Sequence, residues 1–168
     1  GSSIQDIARA AAISPGLLYH YFPSKDELLR AIIETHSYLP QLREVLEKRQ
    51  HLPAKEVFEE IIAGFLRVLD KERNMVALLV RDVAFDPEGN DVWAEMCREG
   101  VALLENYLNG RIASGEFRPH NTKVTARCAY SIIIMFHLTQ EIFKTNGVTR
   151  EEFLKEAIQN LLKGIEAR

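Results

Sequence analysis

The chain has few residues of the kinds that form covalent or metal crosslinks. Its two cysteines, Cys97 and Cys128, stand far apart, and neither has a second cysteine or a histidine at metal-binding spacing. A disulfide framework and a structural zinc site are therefore not expected. Both cysteines are predicted to be buried thiols, and no metal ion or cofactor is predicted.

Long hydrophobic runs are also absent. No apolar stretch approaches the roughly 18 residues that a membrane-spanning helix needs, and the first residues do not form the cationic and apolar segment of a secretion signal. The sequence therefore predicts a cytoplasmic protein that makes no contact with a membrane.

Two further absences limit the function classes. With 21 Lys and Arg against 24 Asp and Glu, the chain lacks the positive charge that nonspecific nucleic-acid binding requires, so any DNA contact must be local. The HExxH, GxSxG and phosphate-binding glycine-loop motifs are missing as well. An enzyme is therefore not expected.

Apolar residues are abundant, at 46%, and recur at helical spacing along nearly the whole chain. Strand-like alternation of β-branched residues is missing, and capping residues punctuate the pattern at regular intervals. The sequence therefore predicts an all-α fold.

The first two predicted helices have the length and spacing of a helix-turn-helix. Ser3 begins one of them, with Asp6 three residues later, and Ser14 followed by Pro15 begins the other after a tight turn at Ala11-Ala12-Ile13. In the second helix Leu18 and Phe22 are predicted to face inward. The residues left at the surface or its rim are Pro15, Gly16, Leu17, Tyr19, His20 and Tyr21.

Such a surface matches the chemistry of a DNA groove. Hydroxyl, imidazole and helix N-terminal N–H groups donate to phosphate oxygens, whereas small or apolar side chains reach base edges and thymine methyl groups. We therefore expect the second helix to lie in the major groove, with Gly16 allowing close backbone approach.

The segment ISPGLLYHYFPSKDELL closely resembles the signature of the TetR family of bacterial transcription regulators, in which a Ser-x-Gly-x-Leu-Tyr-x-x-Phe recognition helix precedes Ser-Lys-x-x-Leu. DIARAAAIS resembles the helix and turn before it. The resemblance implies that several residues face DNA, with Tyr19 and Lys25 contacting the backbone. The full predicted DNA-binding set is Ser3, Ser14, Pro15, Gly16, Leu17, Tyr19, His20, Tyr21 and Lys25.

Two positions depart from the family pattern. The turn usually holds glycine where Ala12 stands, and alanine does not adopt a strongly left-handed conformation without cost. Leu17 often corresponds to threonine, and leucine cannot bond a phosphate. We expect Leu17 to contact a thymine methyl group instead, which would favour A·T steps in the operator.

The resemblance also implies a helix before residue 3 that packs on these two, and the sequence begins where that helix would end. Ser24 and Glu27 are predicted to cap a third, much longer helix that Pro40 kinks or ends. The predicted domains are therefore residues 1–40, a helix-turn-helix domain that shares this long linking helix, and residues 41–168, a ligand-binding and dimerisation domain.

In the second domain the last two helices are predicted to dimerise, because the helix from Asn121 is apolar on almost every side between Ala126 and Leu138. The resemblance implies a pocket for a small, mainly apolar effector. The candidate lining residues are Phe58, Ile62, Phe65, Leu66, Met75, Leu79, Trp93, Met96, Cys97, Val101, Leu104, Tyr107, Tyr130 and His137.

The expected function is that of a ligand-responsive regulator, in the usual case a repressor, that binds a palindromic double-stranded DNA operator as a homodimer. One alternative stays open at this point. A helical protein-interaction module that has lost DNA binding would carry the same pattern.

Overall fold

A computed structural model describes residues 3–77, 91–142, 144 and 147–166. Across these ranges the regular secondary structure is helical, and the β-type pairing is a single isolated bridge between Phe117 and Glu166. The all-α prediction is confirmed. The chain divides into two compact units, Gly1–Ser37 and Tyr38–Arg168.

The first unit contains α1 (Ile4–Ala10), α2 (Pro15–Tyr21) and α3 (Lys25–His36). Ser3 and Asp6 form the predicted capping box at the start of α1, and the hydroxyls of Ser14 and Ser24 accept backbone hydrogen bonds at the starts of α2 and α3. Capping satisfies N–H groups that a helix start leaves without intrahelical partners. Ile4, Ala8 and Leu18 form the buried centre, and Ile7 and Phe22 pack against it.

The third helix is longer than the first two, as predicted, with 12 residues against seven in each, but it does not reach Pro40 and is not the long linking helix that the sequence indicated. Helix α3 ends at His36, and Ser37 is extended. The next helix begins at Leu39, so Pro40 lies in its first turn, where a missing N–H group leaves no intrahelical bond unmade. The two units are therefore not joined by one continuous helix.

The turn after α1 requires a left-handed residue, and Ala12 occupies that position with a φ of 55°. The N–H of Ala12 donates to the carbonyl of Arg9, and that of Ile13 donates to the carbonyl of Ala8. This hydrogen-bond pattern is a Schellman motif, whose left-handed residue is usually glycine. An alanine there costs roughly 1–2 kcal/mol of backbone strain.

Replacing Ala12 with glycine is expected to stabilise the first unit by about 0.5–1 kcal/mol, because relief of strain exceeds the added chain entropy of glycine. Amide hydrogen exchange of α1 residues would measure the gain. Ala11, with a φ of −83°, provides the matched control. Ala11→Gly should destabilise α1, and an Ala12→Gly variant that exchanges faster than the parent would contradict the assignment of strain.

In its described part the second unit has a helical segment at residues 73–77 and five further helices. They are α4 (Leu39–Lys48), α5 (Ala54–Lys71), α6 (Asp91–Ala113), α7 (Thr122–His137), which continues as a π-helical turn (Leu138–Ile142), and α8 (Arg150–Lys163). Helix α5 lies at the centre and packs against α4, α7 and α8. Its buried face includes Phe58, Ile62 and Leu66, as the apolar spacing predicted.

A charged cluster joins α5 to α7 and α8. The guanidinium of Arg150 donates to both carboxylate oxygens of Asp70, at 2.6 and 2.9 Å, and the buried imidazole of His137 lies 3.6 Å from the same carboxylate. Hydrogen bonding from Arg150 is the main cause that holds the pKa of Asp70 below its ordinary value of 3.8. A two-point bond of this kind fixes the relative orientation of the helices.

The lowered pKa gives this ion pair an acid-dependent contribution to stability. An ionised Asp70 stabilises the fold above pH 3.8, and that contribution is lost as the pH falls through the lower pKa of the folded state. Arg150→Gln should therefore destabilise the protein at neutral pH by about 1 kcal/mol, a figure reduced for partial exposure. It should also flatten the decline in stability below pH 4.

Urea denaturation at a series of pH values would measure both effects. Lys155→Gln, an exposed change on the same helix, is the control and should leave the profile unchanged. Equal acid sensitivity of Arg150→Gln and the parent protein would contradict the role assigned to Asp70.

Candidate nucleic-acid interface and ligand region

Helix α2 exposes a row of aromatic and apolar side chains. Leu17 and Tyr19 are each 47% exposed and Tyr21 is 68% exposed, whereas Leu18, between the first two, is 7% exposed and faces the core. The inward orientation predicted for Leu18 is confirmed. Leu17 and Tyr21 are four residues apart and share one face of α2, whereas Tyr19 lies on another, so exposed large side chains surround much of this short helix.

The backbone at the start of α2 is accessible. The Oγ atom of Ser14 accepts from the N–H of Leu17 at 3.2 Å, so this serine is held in place by its own helix. A methyl group added at Gly16 would meet no atom within 4 Å. The space beside Gly16 allows a partner to approach the main chain closely.

Charge around this surface is sparse. Helix α2 contains no acidic or basic residue other than His20, whose ring meets that of Tyr21 edge-on at 5.2 Å. Exposed Lys25 begins α3, and exposed Arg9 on α1 pairs with Asp6 at 3.3 Å. The surface of α2 is thus almost free of charge, and the cations lie on the neighbouring helices.

In the second unit, the predicted effector-lining residues belong to the interior. Seven of them are buried in one core: Phe58, Ile62, Phe65, Leu66, Val101, Leu104 and Tyr107. His137 is also buried, whereas five are partly exposed: Met75, Trp93, Met96, Cys97 and Tyr130. Leu79 lies outside the described residues. The structure therefore places the candidates that it describes in or beside the interior of the helical unit.

Two tyrosines pack on helical glycines within this interior. A Cβ atom at Gly64 would lie 2.7 Å from the Tyr38 hydroxyl, and one at Gly100 would lie 2.9 Å from that of Tyr130. The Phe65 ring lies between the two tyrosines, with centroids 5.4 and 5.0 Å away. Tyr38 was not among the residues predicted from the sequence, although a lone glycine in an apolar helix indicates close approach by a neighbour.

The interior disfavours ionisation. Burial is the main cause that raises the pKa values of Tyr130 and of the Cys97 thiol, so both groups stay protonated near neutral pH. The interior around these aromatic rings is therefore uncharged.

Helix α7 has two apolar faces. One is buried and includes Ala126, Ala129 and Ile133. The other is exposed and follows Val124, Cys128, Ile132 and Met135 at helical spacing. We call these four residues the α7 stripe. The prediction that both cysteines are buried was wrong: Cys97 is partly exposed and Cys128 is exposed, because α7 is apolar on both sides and its own unit covers only one of them.

An apolar groove of about 550 Å³ adjoins the α7 stripe. It is lined by Ser131, Ile132, Met135, Phe136, Thr139 and Phe153. Phe136 and Phe153 stack with their ring centroids 3.8 Å apart and so link α7 to α8. Ile132 and Met135 of the α7 stripe and Phe153 of α8 therefore line the same apolar groove.

No helix in the described part of the chain combines the length and apolar character needed to cross a bilayer.

Comparison with known proteins agrees with this architecture. Residues 1–32 match the family model described as bacterial regulatory proteins, tetR family. An uncharacterized HTH-type transcriptional regulator of Bacillus subtilis, YvdT, is 27% identical over 136 residues, which cover 79% of this chain and 68% of the relative. The HTH-type transcriptional regulator UidR of Escherichia coli is 23% identical over 98% of this chain and 82% of its own.

Solved structures share the fold. A TetR family transcription regulator of Marinobacter aquaeolei superposes with a TM-score of 0.68 at 18% identity, covering 99% of this chain and 86% of the other. At that identity the similarity establishes the fold alone.

Proposed function

Since this chain is a transcription regulator of the TetR family, we propose that it binds a palindromic DNA operator as a homodimer and releases it when a small, mainly apolar effector binds within residues 41–168. The observation that carries the proposal is the exposed surface of α2. It combines Leu17 and Tyr19, each 47% exposed, with an open backbone at Gly16.

The neutral character of α2 supports base contact. An acidic residue on this helix would be repelled by phosphates, and α2 has none. Leu17 supplies an apolar contact for a thymine methyl group, whereas Tyr19 and Lys25 supply hydrogen-bond donors for the phosphates of the DNA backbone. These roles favour an A·T-rich half-site.

A second copy of the chain is the proposed partner of the α7 stripe. A twofold axis places the same residues of both copies against each other, so an apolar stripe is complementary to itself. Val124, Ile132 and Met135, at 41–56% exposure, would be covered in this way. Helices α7 and α8 of two chains would form a four-helix bundle.

Effector control follows from differential affinity. The two recognition helices of a dimer must lie about 34–36 Å apart to enter successive major grooves. An effector that binds more tightly to a different arrangement lowers operator affinity by the ratio of its two affinities. A regulator that blocks transcription while bound and leaves the operator when its effector binds is a repressor, and this is the role that we propose.

The direct test is titration of a labelled A·T-rich palindrome with the protein at several salt concentrations. We expect one dimer per palindrome and a logarithmic affinity that falls linearly with the logarithm of salt concentration. A duplex with one half-site should bind much more weakly. Absence of binding at every low salt concentration would overturn the proposal and indicate an interaction module.

A further inference from the structure

A polar groove separates α4 from α5 in the second unit. Its volume is about 530 Å³, and it is lined by Tyr38, Gln41, Glu44, Val45, Lys48, Arg49, Glu60, Gly64 and Arg67. The lining residues recur every three or four positions on both helices, so each helix turns one continuous face toward the groove. None of these residues is among the predicted effector-lining residues, although the Tyr38 ring also packs on Phe65 in the apolar interior.

Most of the charge in this groove is already paired. Lys48 lies 2.7 Å from Glu44, and Arg49 lies 3.5 Å from Glu60 across the two helices. Arg67 is different, since it has no ion pair with any described residue. The groove therefore carries one net positive charge, and that charge is placed on α5.

The Tyr38 hydroxyl is a second donor without a partner. Tyr38 is only 4% exposed, and no described residue accepts a hydrogen bond from its oxygen. A buried hydroxyl in this state costs free energy unless an acceptor arrives. Burial and then the charge of Glu60 raise the pKa of Tyr38, whereas Arg67 opposes them. Both charged groups therefore act on this hydroxyl.

The absence of a side chain at residue 64 creates this arrangement. A Cβ atom there would lie 2.7 Å from both the hydroxyl oxygen and the Cε2 atom of Tyr38. Any other residue would push the ring away from α5. Gly64 therefore allows the phenol to lie low in the groove, one helical turn from Arg67.

We propose that this groove is a second ligand site, which binds a compact organic monocarboxylate through the Arg67 guanidinium and the Tyr38 hydroxyl. Both groups donate, so the ligand must accept, and one unpaired positive charge matches one carboxylate. The Gln41 amide and the Val45 side chain line the remaining space and suit a small, partly apolar body. A carboxylate in this groove would contact α4 and α5 together.

Benzoate is a suitable probe, with benzamide as a neutral molecule of the same shape. Isothermal titration calorimetry of the protein should show saturable binding of benzoate that is at least about tenfold tighter than that of benzamide. Tyr38→Phe should weaken benzoate binding about tenfold, and Arg67→Gln should weaken it roughly 10- to 100-fold. Lys55→Gln removes an exposed cation elsewhere on α5 and should change nothing.

Folding is tested separately. Without ligand, Tyr38→Phe should melt at the same temperature as the parent or above it, because it removes a buried hydroxyl that lacks a partner. Benzoate binding that survives both substitutions, or no saturable binding up to the solubility limit, would overturn the proposal. Neither readout involves DNA, so failure here leaves the operator proposal standing.

Discussion

Replacing Ile132 with lysine is expected to separate the proposed dimer into monomers. Ile132 is 41% exposed, lies on the α7 stripe and lines the adjoining apolar groove. Under twofold symmetry each dimer would gain two ammonium groups buried without partners. The dimer dissociation constant should rise roughly 100- to 1,000-fold.

Operator affinity should also decrease in Ile132→Lys, because the variant dissociates into monomers. A single recognition helix binds one half-site, and it loses the effective concentration that a linked second half-site supplies. Sedimentation equilibrium and the palindrome titration would measure the two effects in one set of samples. The variant should keep its helical circular dichroism, because the side chain of Ile132 is not part of the buried core.

The control for this change is Glu56→Lys, which places the same cation at an exposed position on α5. Cys128 offers an independent readout, since its thiol lies on the α7 stripe and is exposed in the single chain. In a Cys97→Ser background, maleimide should label Cys128 slowly in the dimer and quickly in Ile132→Lys. A variant that stays dimeric would contradict the proposed interface.

Replacing Tyr19 with glutamate is expected to weaken operator binding strongly without affecting the dimer. The tyrosine is 47% exposed on α2, and the substitution exchanges a phosphate donor for a negative charge in each subunit. Affinity at low salt should fall roughly 100-fold. The slope of logarithmic affinity against logarithmic salt should become shallower by about one per subunit.

Thr35→Glu is the matched control, because it adds the same charge at an exposed position near the far end of α3. It should retain operator binding within a few-fold of the parent protein. Gel filtration would verify that both variants remain dimeric. An equal loss of operator affinity in Tyr19→Glu and Thr35→Glu would mean that the added negative charge, and not the α2 surface, determines operator affinity.

Local sequence determined much of the first unit. The caps at Ser3, Ser14 and Ser24 depend on contacts between residues three apart, so spacing alone predicted them. The periodicity of a seven-residue helix also identified Leu18 as the inward side chain. The local sequence did not predict where α3 ends, because Pro40 is compatible with both the end of one helix and the first turn of another.

The sequence also determined that α7 is a helix with apolar residues on more than one face, because the number of apolar residues in each helical turn can be read from the order of residues. Only the tertiary structure decided which face its own unit covers, and this placed Cys128 on the exposed face. The polar groove between α4 and α5 and the Asp70–Arg150 ion pair also depend on the tertiary structure. Asp70 and Arg150 are in contact because packed helices bring distant positions together, and the spacing of residues along the chain does not predict such contacts.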